Sequence, residues 1–169
     1  MKIKILVLSL ITILMSCKKT QDDTLLEHKN VSKEITEKDL SKLDFIEFTL
    51  DVKTKKAIED WQAYNQLQDV ITNVKKGDLS FFSDNKEGIK TLFKDLLLNI
   101  PDQVNNDATL ARIVALETKL YKLESLSNLS TTSKEELSLV IQEFLESFSN
   151  LNFQMNKKIE KDNQNIEKP

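Results

Sequence analysis

The sequence predicts an all-α protein, an antiparallel bundle of about four helices with an extended N-terminal arm. Three observations carry that expectation. Two glycines and two prolines in 169 residues are too few to supply the turns of a sheet-rich domain. Four segments place apolar residues at spacings of three and four, the period of an amphipathic helix. The connections between them are short, which returns each helix beside the one before it.

The chain starts with a positively charged stretch, Lys2 and Lys4, followed by an apolar run over residues 5–15 that is interrupted only by Ser9 and Thr12. That is the layout of a secretory signal, and the run stops at Lys18 well short of the ~20 residues a membrane-spanning helix needs. The junction Leu14-Met15-Ser16-Cys17 resembles the lipobox of bacterial lipoproteins: an aliphatic residue, a tolerant position, a small residue, then cysteine. The resemblance implies that residues 1–16 are a signal peptide cut off by signal peptidase II. It also implies that the Cys17 thiol receives a diacylglycerol and the new amine an acyl chain. Each buried methylene contributes about 0.8 kcal/mol, so two or three chains anchor firmly where one does not. Because Lys18 and not Asp follows the cysteine, the resemblance favours the outer membrane. The acidic pair Asp22-Asp23 leaves the periplasmic or surface side open. Beyond residue 17 the chain is similar only in style, rich in Lys and Asn, to small Bacteroidota-type lipoproteins.

Cys17 is the only cysteine, so no intrachain disulfide is available. With Lys2 and Lys4 removed, the 24 basic and 27 acidic side chains become 22 against 27, a net charge of −5. That mildly acidic, evenly mixed balance argues against nucleic acid as a partner.

Residues 17–43 read as a lipid anchor and polar tether, with apolar positions Ile35, Leu40 and Leu43 giving weak helical support over 33–43. Residues 44–160 read as the helical domain and 161–169 as a polar, disordered tail. At 45–52, Ile46, Phe48, Leu50 and Val52 alternate with polar residues, a strand period. A lone strand leaves its backbone unsatisfied, so the expectation is an extended arm laid across helices, with pairing to residues 79–82 as the lesser alternative.

The first helix is expected over 55–75, carrying Trp61, Tyr64, Leu67, Val70, Ile71 and Val74, with Gly77 ending it. The second starts near Asp84, where Asp84 and Glu87 have capping-box spacing, and stops before Pro101. The third begins near Asn106 and fades at residues 127–132. The fourth opens with the Ser133–Glu136 capping box and carries Leu137, Val140, Ile141, Phe144, Phe148, Leu151, Met155 and Ile159 over about 40 Å. Leu139 and Phe153 fall off that stripe and point to the arm or a partner.

Four residues break their helical pattern. Asp60 falls among Tyr64, Leu67 and Ile71, while Glu117 and Glu124 fall inside the apolar arc of the third helix. Arg112, the single arginine beside 23 lysines, has the planar fork suited to a carboxylate pair. Asp60, Arg112, Glu117 and Glu124 are therefore candidates for a ligand or ion-pair site. Trp61 and Tyr64 are expected in the core, their polar tips reaching partners at its rim.

Catalytic and metal chemistry is sparse. The one histidine, His28, lies in the tether, no Cys/His cluster suits zinc, and Gly77 and Gly88 stand too far apart to cradle a phosphate. No enzyme activity, cofactor or metal is expected. The sequence favours a membrane-anchored envelope lipoprotein with a non-catalytic helical domain, whose partners are the membrane and an envelope protein. The alternative is a small-ligand or cation-binding helical lipoprotein.

Overall fold

Ser133 opens the longest helix by accepting the Glu136 N–H at 3.0 Å, so the serine half of the expected capping box sets that boundary, without a return bond from the Glu136 carboxylate. The computed structural model describes residues 34–164. Its helices are α1 Glu37–Leu40, α2 Val52–Ala57, α3 Gln62–Lys75, α4 Lys86–Leu98, α5 Asp107–Asn128 and α6 Lys134–Asp162, with a 3-10 turn at Ser80–Phe82. No strand occurs among the described residues. The expected signal peptide, Cys17, the first part of the tether and the tail beyond residue 164 lie outside them.

The chain is all-α and its four long helices form the expected bundle. Each of α3, α4 and α5 packs on the helix that follows it, most extensively α5 on α6. Tyr64 of α3 stacks on Phe148 of α6, ring centroids 5.7 Å apart, which joins the first and last long helices. The core runs through Leu67, Val74, Ile89, Leu96, Ile113, Leu116, Leu120, Ile141, Phe144 and Met155, all fully or nearly fully buried. Burying such side chains stabilises by about 1.5–3 kcal/mol each before chain entropy opposes it.

Three local expectations are corrected. The first helix breaks: α2 ends at Ile58, the Trp61 N–H bonds the Ile58 carbonyl at 3.0 Å, and α3 starts after Trp61. Trp61 is buried at this break, so tertiary packing overrides a continuous helical pattern. The capping box at Asp84 does not form; Asp84 lies at φ +48° and α4 starts after Asn85 without a side-chain cap. Residues 79–82 form the 3-10 turn and pair with no strand.

The tether boundary also moves. Ile35 and Leu40 are buried in the main core, and Thr36 and Asp39 form a reciprocal capping box at α1. The folded domain therefore includes residues 34–43. This segment crosses the end of α3, where Gly77 at φ +85° closes a Schellman motif: its N–H bonds Val74 O at 2.9 Å and the Asp78 N–H bonds Asn73 O at 3.0 Å.

Lys134 at the start of α6 pairs with Asp39 at 2.7 Å and, with the Thr36 hydroxyl and N–H, holds the Asp39 carboxyl far below its usual range. A depressed carboxylate stabilises the fold fully above its unfolded pKa of about 4, and that contribution disappears as pH falls through the folded value. Wild type should therefore exceed Asp39→Asn in urea midpoint at pH 6, and the two should converge as pH is lowered from 4 toward 2. A gap independent of pH would show that the ion pair contributes nothing. On the opposite face, Lys122 and Lys119 of α5 bracket Glu143 of α6 at 2.8 and 3.0 Å and hold its carboxyl below the usual range.

Candidate functional site

Residues 43–51 run extended along α6, as expected for the arm, and the contact is built from side chains that read a main chain. The Phe48 N–H donates to Ser149 Oγ at 2.6 Å, and that hydroxyl donates onward to the Ile46 carbonyl at 2.9 Å. Asn152 Nδ2 donates to the Phe48 carbonyl at 3.1 Å, and Asn156 Nδ2 to the Thr49 carbonyl at 2.8 Å. Asn156 Oδ1 accepts the Asp51 N–H at 3.0 Å, and Gln142 Nε2 reaches the Asp44 carbonyl at 3.0 Å. Ser149, Asn152 and Asn156 are spaced by three and four, one edge of the helix beside its apolar stripe. An arm that pairs with no strand still has much of its backbone satisfied.

Asn152 is buried and joins the clasp to the core. Its Oδ1 accepts the Tyr64 hydroxyl at 2.7 Å while its amide holds Phe48. Burial pushes the Tyr64 phenol up, so the hydroxyl keeps its proton and remains a donor at any ordinary pH. Trp61 stacks on Tyr64 at 5.6 Å, but its buried indole N–H has no hydrogen-bond partner among the described residues, unlike the expectation for its polar tip.

Side chains fasten the arm as well. Phe48 lies 4.6 Å from Phe153, centroid to centroid, so Phe153 meets the arm as its position off the stripe suggested. Leu139 stays exposed. Glu47 pairs with Lys75 of α3. Ile46 is 74 % and Val52 87 % exposed, so the inward residues are Phe45, Phe48 and Leu50, and the period-two reading is corrected in register. The chain is fastened at both sides yet does not fill the space below it. A cleft of about 360 Å³ opens between the arm, α2, α3 and α6, floored by Ile58, Tyr64, Ile71 and Phe148.

The four residues singled out from the sequence do not come together. Asp60 is exposed in the turn between α2 and α3, out of the register that a continuous helix would have imposed, and borders a hollow with Asp95 and Asn99 near the end of α4. Glu124 borders a hollow at the start of α4, with Asp84 and Glu87. Arg112 is exposed and forms no ion pair with any described residue. Glu117 is half-buried. Only Glu124 points inward as expected, 3 % exposed and accepting from Asn128 Nδ2 at 3.0 Å. Burial, then the charges of Glu117, Glu87 and Glu124, push the Tyr121 phenol up. No group of three His, Cys, Asp or Glu residues among the described ones could hold a metal ion.

The residues of the clasp carry little signal in the sequence. The available signal was an Asn and Ser row, residues 149, 152 and 156, bordering the α6 stripe where lysine or glutamate would be the usual edge. No described helix is long and apolar enough to cross a membrane. No family model, no curated protein and no solved structure matches this chain.

Proposed function

We propose that this chain is an envelope lipoprotein, anchored by acyl chains on Cys17, whose helical domain is a non-catalytic protein-interaction module. The arm clasp carries the second part. The polar groups of Ser149, Asn152 and Asn156 are used to hold an extended chain by its main chain, a general means of protein recognition. The first part rests on the Lys2/Lys4 charge, the short apolar run and Leu14-Met15-Ser16-Cys17. With the domain starting by residue 34, residues 18–33 are available to link it to the anchor.

Crosslinking in cells followed by identification of captured proteins tests the interaction reading. A reproducible envelope partner supports it, whereas no capture together with a bound small molecule overturns it. Cys17→Ala tests the anchor: labelling by a fatty-acid probe should vanish, and the protein should leave the detergent phase on phase separation. Unchanged labelling and partitioning would sink the lipoprotein assignment.

A further inference from the structure

We propose that the cleft between the arm and α3 binds an extended peptide segment of about four residues, laid beside the arm as an added strand. The inference rests on the reading of the domain as a protein-interaction module and names the chemistry of the partner.

One wall of the cleft is the arm, which is only half used. Ile46, Phe48, Thr49 and Asp51 engage α6 through their main chain, but the N–H and C=O of Glu47 and of Leu50 hydrogen-bond to no described residue. Backbone groups alternate in direction along an extended chain, and here the alternation resets once between Phe48 and Thr49, which both bond α6, so Glu47 and Leu50 are the two positions left turned from α6 and open to a second chain. The opposite wall is α3, where Asn65, Gln68 and Thr72 face the cleft at spacings of three and four. That row matches Ser149, Asn152 and Asn156 of α6. The Gln68 amide has no partner among the described residues, and Asn65 uses only Nδ2, on the Glu59 carbonyl at 3.1 Å. Both side chains offer groups complementary to a main chain.

Length and polarity agree. From Asn65 to Lys75 α3 rises about 15 Å, the span of four to five extended residues. The floor of Ile58, Ile71 and Phe148 suits apolar side chains at alternate positions. Lys55 and Glu59 at the rim and the Glu47–Lys75 pair give no net charge, so the stretch that binds is uncharged. The cleft continues an interface that already holds one extended segment.

The test uses the full chain in detergent and a fluorescein-labelled Thr-Val-Thr-Val-Thr-Val peptide, read by anisotropy. Saturable binding is expected with a Kd of about 10–500 µM. N-methylating the valines, which removes their N–H donors, should weaken it at least about tenfold. Gln68 is exposed, so Gln68→Trp should fold, as circular dichroism would verify, yet fill the cleft and abolish binding. Gln66→Trp, on the other side of α3, should bind as wild type. No saturable binding up to millimolar peptide overturns the proposal, as does binding that ignores both N-methylation and Gln68→Trp. An envelope partner still captured in cells alongside such a failure would leave the interaction reading standing and remove only the cleft. Peptide binding without any captured partner would uphold the cleft, and the interaction reading would then fall only if a small molecule is found bound in its place.

Discussion

Asn152→Ala is expected to destabilise the protein by about 3 kcal/mol, with Tm lowered by roughly 10 °C. One side chain makes two incompatible demands on any replacement. It must accept from the Tyr64 hydroxyl, which is buried and stays protonated, and it must donate to the Phe48 carbonyl at the centre of the arm. Alanine meets neither, leaving a buried O–H without an acceptor at a cost of about 1–3 kcal/mol and loosening the arm besides. Asn152→Asp can accept but cannot donate, so it should fall between alanine and wild type above pH 6. Tyr64→Phe removes the hydroxyl that needs the acceptor. The double variant Tyr64→Phe/Asn152→Ala should therefore be about 1 kcal/mol less destabilised than the sum of the singles. Strict additivity in urea denaturation would show that the two side chains are not coupled.

Gly77→Ala should cost about 2–4 kcal/mol, and it should do so from two causes that act at once. The residue sits at φ +85°, where a Cβ costs about 1–2 kcal/mol. That Cβ would also lie 2.5 Å from the Ile35 carbonyl oxygen, a backbone atom that cannot swing aside. The segment carrying Ile35 and Leu40 must then shift off the end of α3 and expose both side chains. Hydrogen exchange is the discriminating measurement: the Leu40 amide, bonded to the Thr36 carbonyl, should lose protection well before α5 and α6 do. Uniform loss across all helices would mean that the N-terminal segment is not a separate local unit. Thermal unfolding alone would not distinguish the two.

The parts of the fold legible in the sequence are those determined within a turn or two of chain. Ser133 and Asn106 cap α6 and α5 because a side-chain oxygen three residues before an orphan N–H needs no other element to reach it. Gly77 ends α3 for a similar local reason. The Asp84–Glu87 spacing is just as local, yet it fails, since burial of Phe82 in the core and the Asn85 amide on the Phe81 carbonyl at 2.9 Å set a different path into α4. Local chemistry decides only where packing leaves it free to.

The candidate site was barely legible, and α2–α3 shows why. A helical pattern through 55–75 makes Asp60 an inward carboxylate, but burying Trp61 breaks the helix and puts Asp60 in an exposed turn. Glu124 lies on the uninterrupted α5, so its helical register survives and its burial was readable.

By itself the sequence determined the helical class, the long α6 with its cap, the extended character of residues 45–51 and the presence of a lipobox-like junction at Cys17. Each follows from spacing or composition within one segment. Only the tertiary structure decided what the arm lies on, which of its side chains face inward, and that Asn152 serves both Tyr64 and Phe48. Those contacts join residues about a hundred positions apart, and a hydrogen bond between two chain segments depends on how the helices dock, which no local period encodes.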